Sequence, residues 1–226
     1  MGLNLIGRYG GMTIGRYGGK AVGRYVAVLL LVCGSSRLFA QQPEGDQAWD
    51  AGRFEEARGA YRVVLAGDPD AFRANLRIGL MLAWEGRHDS ALAHIRLARR
   101  VEPADPEARL IEAWVLSWNH QFADALAHYD SVLAGNPDDQ EALVGRAQVS
   151  AWRGDLGEAE RGYRTVLARH PRNTDALAGL GYVYHWQARE GPAGRMAARA
   201  LAIDSTHQAA RELREAVRGA TRSTVE

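Results

Sequence analysis

The seven histidines and the single cysteine are the residue types that first raise the question of metal binding or catalysis. No two histidines stand four residues apart, and none falls into a spacing typical of a zinc site. Cys33 is the only thiol, so an internal disulfide is excluded. A phosphate-binding glycine loop and a serine-nucleophile elbow are also missing. We therefore expect a non-enzymatic protein without catalytic residues, metal or cofactor. The histidines are His88, His94, His120, His128, His170, His185 and His207.

Tryptophan is the residue type whose spacing points to binding. An exposed indole offers a flat apolar face and an N–H donor, which suit stacking on a sugar ring or contact with a partner helix. The alternative is that each indole packs against a neighbouring segment as a structural contact, and the two roles are compatible. Four tryptophans recur every 34 residues, and two further aromatic residues stand four residues before members of that series: Trp84, Trp118, Trp152 and Trp186, with Trp114 and Tyr182.

Proline and alanine share the same period. A period of 34 residues over most of the chain predicts an array of helix pairs, because this is the length of the tetratricopeptide (TPR) unit. The prolines end a helix by removing an N–H donor and restricting the preceding residue. The two series are Pro69, Pro103, Pro137 and Pro171, and Ala57, Ala91, Ala125, Ala159 and Ala193.

The chain resembles the TPR family at several further positions. Small residues stand midway along each first helix, at Gly79, Ala113, Ala147 and Gly181. Glycine marks the turn between helices at 52, 86 and 154, and tyrosine stands in the second helix at 61, 129 and 163. The large aromatic residue usual near the start of the first helix is absent. The resemblance implies an all-α TPR solenoid whose first helices line a concave groove used for ligands.

The ends of the array are predicted from its register. We place the TPR array at 41–204, with repeats at 41–71, 72–105, 106–139, 140–173 and 174–204, the first of them partial. Asp105 with Pro106, and Asn173, are predicted to cap first helices. A capping box from Ser205 to Gln208 is expected to open a solvating helix over 205–220 that Gly219 ends. Residues 221–226 are expected to be a disordered tail.

The first forty residues are predicted to be a secretory signal peptide. A basic segment without acids precedes the apolar run 26–33, and Leu38-Phe39-Ala40 follows, so cleavage is expected after Ala40. The run is too short to span a membrane. Two alternatives are lipidation at Cys33, where Val32 departs from the required pattern, and an uncleaved N-terminus. An echo of IGRYGG suggests that translation begins later, for instance at Met12.

Charge disfavours nucleic acid as a partner. Removing the five bases of residues 1–40 leaves 23 Lys and Arg against 27 Asp and Glu in a mature chain without a membrane span. Arg73 and Arg77 are candidates for an anion or hydrogen-bond contact in the groove. Equivalent positions in later repeats do not complete a clamp for a peptide carboxylate.

A pair of charges occupies a core position of neighbouring repeats. Glu112 and Arg146 stand where Ile78 and Leu180 occur in the outer repeats, so we expect them to form a buried or half-buried ion pair.

The sequence as a whole favours a periplasmic scaffold. The phrases LAWEGR, LSWNHQ, SAWRGD and YHWQAR are similar to TPR segments that precede outer-membrane β-barrels in exopolysaccharide export, although only TRSTVE follows the last helix. We expect the groove to bind an envelope protein or a polysaccharide in support of assembly or export. The alternative is a structural adaptor that self-assembles and has no groove ligand.

Overall fold

The computed structural model describes residues 36–223, which hold eleven α-helices and no strand. None of these helices combines the length and the apolar character needed to cross a membrane. The helices are α1 Ser36–Asp50, α2 Phe54–Gly67, α3 Phe72–Trp84, α4 His88–Val101, α5 Pro106–Trp118, α6 Phe122–Gly135, α7 Gln140–Trp152, α8 Leu156–Arg169, α9 Thr174–Trp186, α10 Glu190–Ile203 and α11 Gln208–Ser223.

The helix starts confirm the 34-residue period. The odd-numbered helices from α3 onward, which we call A helices together with α1, begin at residues 72, 106, 140, 174 and 208. The even-numbered B helices begin at residues 54, 88, 122, 156 and 190. Three residues separate each A helix from the next B helix, and four separate each B helix from the next A helix. Equivalent residues of different repeats can therefore be compared by adding or subtracting 34.

The A helices of the middle repeats begin with side-chain caps. Asp105 Oδ1 accepts the N–H of Ala108 at 2.7 Å, and Asn173 Oδ1 accepts that of Ala176 at 2.8 Å, which confirms both predicted caps. Asp139 caps α7 in the same way. Each cap satisfies one of the N–H groups that the first turn leaves without a partner.

The chain divides into two compact bodies, which we treat separately. The N-terminal body spans 36–119 and holds α1–α5, and the C-terminal body spans 120–223 and holds α6–α11. The periodic alanines and the tyrosines at 61, 129 and 163 are fully or almost fully buried. A Cβ added to Gly79 would lie 2.7 Å from Ile95 Cγ1, and one added to Gly181 would lie 2.4 Å from Leu213 Cδ2. The small residues thus permit the close helix contacts expected from the sequence.

The two ends of the array add to the sequence prediction. α1 is a helix of 15 residues, of which the first five precede the predicted cleavage point, so the partial first repeat of a chain that begins at Gln41 stays a prediction. The predicted signal peptide lies mainly outside the described residues, and cleavage after Ala40 stays a prediction. At the other end, α11 begins at Gln208, and the Nδ1 atom of His207 accepts the N–H of Ala210 at 3.2 Å. Ser205 is therefore not the cap, and Gly219 does not end the helix, which continues to Ser223.

α11 takes the place of a sixth A helix. It begins 34 residues after α9 and buries Ala209, Ala210 and Leu213. Its opposite face carries exposed charges, as a helix that covers the end of a repeat array requires. The predicted tail from 221 begins inside α11, and residues 224–226 lie outside the described part of the chain.

Candidate functional site

The histidines are engaged in pairwise contacts. His94 Nδ1 lies 2.8 Å from Asn75 Oδ1, His185 Nδ1 lies 2.9 Å from Glu190 Oε2, and His207 Nε2 lies 3.0 Å from Asp175 Oδ1. Among the described residues, no group of three or more His, Cys, Asp or Glu side chains could hold a metal ion. These histidines contribute local contacts between helices.

The four periodic tryptophans end their A helices and none of them is buried. Trp84 is 43% exposed and Trp186 is 38% exposed, while Trp118 and Trp152 are half-buried. Each of the two tryptophans in the N-terminal body also contacts the first residue of the preceding B helix. The ring centroids of Trp84 and Phe54 are 5.2 Å apart, and those of Trp118 and His88 are 6.5 Å apart. Trp84 and Trp118 therefore combine packing between repeats with an accessible surface.

Three rings of the N-terminal body form what we call the aromatic cluster: Trp49, Phe54 and Trp84. Trp49 stacks on Trp84 with centroids 5.5 Å apart and planes inclined by 17°. Phe54 meets both indoles edge to face, at 5.3 Å from Trp49 and 5.2 Å from Trp84. Such arrangements are the favoured geometries of aromatic pairs and add about 0.5–1.5 kcal/mol each beyond area burial. The cluster brings together the end of α1, the start of α2 and the end of α3.

Trp49 and Phe54 were absent from the sequence prediction. Trp49 stands 35 residues before Trp84, one residue out of register with the tryptophan series. Phe54 aligns with His88, Phe122 and Leu156. Because the residue type varies at this position, the sequence shows no periodic aromatic series that includes Phe54. A search of the first repeat for tryptophans within one residue of the period finds Trp49.

The predicted arginine contacts have different roles in the structure. The guanidinium of Arg77 lies 4.6 Å from the centroid of the Trp49 ring, and its Nη1 pairs with Glu107 Oε1 at 3.0 Å. Because Arg77 is buried, it supports the cluster rather than offering an open anion site. Arg73 is exposed, and its Nε lies 3.6 Å from Asp46 Oδ2.

The two aromatic residues four positions before the tryptophans differ in accessibility. Tyr182 is buried, and its hydroxyl donates to the carbonyl of Ala209 in α11 at 3.2 Å. Its position makes it part of the contact with the covering helix, so we remove it from the candidate site. Trp114 is half-buried. The sequence placed both on one helical face with the tryptophans, but burial distinguishes Tyr182 from that series, whereas Trp114 is half-buried like Trp118 and Trp152.

A charged network surrounds Tyr184 in the C-terminal body. Arg189 stacks over the Tyr184 ring at 4.4 Å, and Arg164 Nη2 donates to the Tyr184 hydroxyl at 3.1 Å. Both arginines pair with Glu160. Desolvation opposes ionisation of this carboxyl, but a hydrogen bond from Gln187 and the two guanidinium groups lower the pKa of Glu160 overall.

The predicted ion pair between Glu112 and Arg146 is wrong. Glu112 is buried and accepts from Arg96 Nε at 3.3 Å and from Arg99 Nη1. Arg146 is exposed, and its Nε pairs with Asp130 Oδ1 at 3.0 Å. Both residues are bridged to the B helix that precedes their own A helix.

The repeat geometry defines the class of protein. A and B helices alternate at a constant period, with small residues at the helix contacts and a covering helix at the end, as in an α-solenoid of helix pairs. Tetratricopeptide-repeat family models match residues 43–109 and 119–172. The chain therefore belongs to the TPR family.

Solved structures with the same fold include the following three proteins. PilW, a widely conserved type IV pilus biogenesis factor, is 18% identical, with a TM-score of 0.66 over 83% of this chain and 91% of PilW. YrrB, described as a TPR protein with an unusual peptide-binding site, is 21% identical, with a TM-score of 0.55 over 77% of this chain and 90% of YrrB. A thermophilic TPR protein of Thermus thermophilus is 17% identical, with a TM-score of 0.66 over 81% of this chain and 98% of that protein. A search of curated proteins finds no match.

Proposed function

We propose that this chain is an exported, non-enzymatic TPR scaffold that binds a protein of the bacterial envelope through the aromatic cluster. Trp118, Trp152 and Trp186 are further candidate contacts on A helices. The proposed role is to support assembly or export of an envelope component. TPR proteins are interaction scaffolds. In this proposal, the aromatic cluster is the part of the scaffold that contacts the partner.

The observation that carries the proposal is the exposure of two large rings at one place. Phe54 is 41% exposed and Trp84 is 43% exposed, with their centroids only 5.2 Å apart. Grouped exposed apolar side chains mark interaction surfaces more often than isolated ones do. Tryptophan is also enriched among the residues that dominate binding energy at protein interfaces.

The cluster is also held in place before any partner arrives. Trp49 contacts both the Arg77 guanidinium and the Trp84 ring, and Glu107 fixes Arg77 from α5. A ring that is already ordered loses little conformational freedom on binding, so more of the contact energy contributes to affinity. The arrangement favours a protein partner with an apolar side chain that covers Trp84 and Phe54 together.

Export is supported by the sequence of residues 1–40, whose basic, apolar and small-residue order is that of a secretory leader. The similar protein PilW is a pilus biogenesis factor, and the similar protein YrrB has a peptide-binding site. Both are compatible with a scaffold that binds a protein segment.

The proposal is tested by affinity capture from envelope extract, with the purified chain as bait. The Trp84→Ala variant, combined with Phe54→Ala, should lose the partner that the wild-type chain retains. With the partner purified, calorimetry should show affinity weakened by roughly 30-fold, the effect of losing about 2 kcal/mol at a dominant contact. Val101→Ala is the matched control, because Val101 is a large exposed apolar residue outside the cluster.

Three outcomes would reject the proposal. One is capture that the double variant leaves unchanged while circular dichroism shows it folded. Another is binding of a glycan, and of no protein, in a parallel glycan-array experiment. The third outcome is that the wild-type bait captures only further copies of this chain, which would favour the self-assembling adaptor.

A further inference from the structure

A pocket of the C-terminal body lies between α7 and α8, in the fourth repeat. Its volume is about 240 Å³, and it is lined by four residues of each helix: Leu143, Arg146, Ala147, Ser150, Glu158, Arg161, Gly162 and Thr165. Sites for drug-sized ligands occupy roughly 300–1,000 Å³, so this pocket suits a single side chain or one small group. It shares no residue with the aromatic cluster.

The pocket lies where the fourth repeat departs from the second, third and fifth repeats at a core position. Ser150 is equivalent to Leu82, Leu116 and Tyr184, all of which are buried. Ser150 is buried as well, but its hydroxymethyl group fills much less space than leucine or tyrosine. The space that a large side chain occupies in the second, third and fifth repeats is left empty here.

The floor of the pocket is fixed by a close helix contact. A Cβ added to Gly162 would lie 2.8 Å from Ala147 Cβ, so α7 and α8 touch at this point. Three of the four equivalent residues, His94, His128 and Met196, carry longer side chains that are partly buried, and the fourth is Ala60 of the first repeat. Gly162 thus leaves the crevice open above an apolar floor.

The walls of the pocket carry hydrogen-bonding groups, and several of these groups already have partners within the protein. The hydroxyl of Ser150 donates to the carbonyl of Arg146 at 3.3 Å, and that of Thr165 donates to the carbonyl of Arg161 at 2.9 Å. The Arg146 guanidinium pairs with Asp130 at 3.0 Å. Within the described part of the chain, no carboxylate lies within ion-pair distance of Arg161. The Arg161 guanidinium is therefore available to an incoming anion.

From this geometry we infer that the pocket binds one carboxylate group, carried either by an acidic side chain of a protein or by an acidic sugar. Arg161 supplies the two parallel N–H donors that match a carboxylate. Arg146 stands on the facing helix with its charge paired to Asp130, so Arg161 is the main donor, while Ala147 contacts the carbon atoms that carry the ligand's carboxyl group. This site goes beyond the proposed function, because it is separate from the aromatic cluster and recognises a charge.

Glu158 makes the charge specificity testable. Its carboxylate lines the same pocket, three residues before Arg161. A bound carboxylate is repelled by Glu158, whereas an uncharged sugar or a cation would gain an acceptor from it. The Glu158→Gln variant should therefore bind a carboxylate more tightly.

The experiment is a titration of the full chain followed by amide NMR shifts of Ser150 and Gly162. The two acidic probes are N-acetyl-Gly-Glu-Gly-amide and methyl glucuronide, and their neutral controls are N-acetyl-Gly-Gln-Gly-amide and methyl glucoside. We expect an acidic probe to bind with a Kd on the order of 1 mM, and its neutral control not to bind. Binding of the peptide alone identifies an acidic side chain as the source, and binding of the glucuronide alone identifies an acidic sugar.

The variants use residues that other repeats already carry. Arg161→Ala matches Ala93 and Ala127 and should weaken binding by about tenfold. Ser150→Leu matches Leu82 and Leu116 and should abolish binding by filling the pocket. Arg172→Ala removes another exposed arginine of the fourth repeat and should leave the affinity unchanged.

The inference is overturned by any of three results. Acidic probes that produce no shifts up to roughly 20 mM would show that the pocket has no such ligand. Equal binding of acidic and neutral probes would remove the role of charge. A folded Arg161→Ala variant that keeps wild-type affinity would remove the role assigned to its guanidinium.

Discussion

The two bodies treat equivalent core positions differently. In the N-terminal body, Leu82 and Leu116 fill the A-helix position that contacts the B helix. In the C-terminal body, Tyr184 fills that position in the fifth repeat, but Ser150 leaves a pocket there in the fourth. Two equivalent charged residues show a similar difference, because Glu112 is buried between two arginines whereas Arg146 of the fourth repeat is exposed. The fourth repeat of the C-terminal body thus opens a polar surface where the N-terminal body packs its second and third repeats closely.

The turns between A and B helices also differ between the bodies. In the N-terminal body, Gly52 and Gly86 take the positive φ that this turn requires, at 72° and 75°. In the C-terminal body, Gly154 does so at 87°, but His120 and Ala188 adopt φ of 58° at equivalent positions. A repeat protein tolerates such local variation because each unit contacts only its neighbours. Stability and binding chemistry can therefore be distributed over different repeats.

The largest effect on stability is expected at Glu112, and the equivalent residue Arg146 provides the comparison. Glu112→Ala removes the carboxylate that Arg96 and Arg99 share and should lower the free energy of unfolding by roughly 3–5 kcal/mol, as for one partner of a buried pair. Arg146→Ala removes an exposed pair and should cost about 0.5 kcal/mol. Urea unfolding measures both. Equal losses would show that the two positions share one environment.

A reciprocal exchange tests the packing difference. Leu116→Ser creates a cavity and buries a hydroxyl in the N-terminal body, so unfolding should become easier by about 3 kcal/mol. Ser150→Leu should stabilise the C-terminal body by about 1 kcal/mol, because it fills the pocket with the residue of the second and third repeats. Thermal unfolding of both variants gives the two signs. A destabilised Ser150→Leu variant would mean that the pocket is a strained contact rather than spare volume.

A smaller effect is expected at the turns. Ala188→Gly relieves a left-handed backbone conformation and should stabilise the chain by about 1 kcal/mol. Gly86→Ala introduces the same strain into the N-terminal body and should destabilise by a similar amount. His120→Gly is the comparison variant, with a smaller gain because the His120 ring contacts Phe122 at 5.5 Å. If Ala188→Gly lowers the melting temperature, backbone strain is not what distinguishes these turns.

The smallest effect is a pH dependence confined to the N-terminal body. Burial lowers the pKa of His94 below its ordinary value of 6.5. The unfolded chain therefore takes up this proton more readily than the folded chain, and stability falls as pH drops below about 6.5 towards the folded pKa. Below both values the loss stays constant. Urea unfolding of His94→Gln between these limits should show a weaker pH dependence than the wild type, and an identical dependence would assign the effect to another group.

Much of the fold was predictable because it depends on sequence period. The 34-residue series of Pro69, Ala91 and Trp84 predicted the helix pairs, and Asp105 and Asn173 predicted two of the helix starts. The start of α11 was missed because a local capping box at Ser205 was preferred over the register. The packing of A on B helices keeps every connection of this kind at four residues, and this constraint places the start at Gln208.

The candidate site was only partly predictable. The sequence identified Trp84, but Trp49 is one residue out of register and Phe54 belongs to a variable position. Tyr182 and Trp84 look alike as aromatic residues of A helices, yet α11 covers the first and leaves the second exposed. The accessibility of a ring depends on which helix packs beside it. The sequence of the helix that carries the ring does not determine this packing.

The sequence by itself determined the repeat length, the helix ends that carry Asn or Asp caps, and the small residues at helix contacts. These features act within one repeat or between residues close in the chain. Only the tertiary structure decided that Glu112 pairs with Arg96 and Arg99, that Trp49 stacks on Trp84, and that Ser150 borders a pocket. Those outcomes depend on the volume and charge that neighbouring helices bring to one position, which becomes defined once the helices pack.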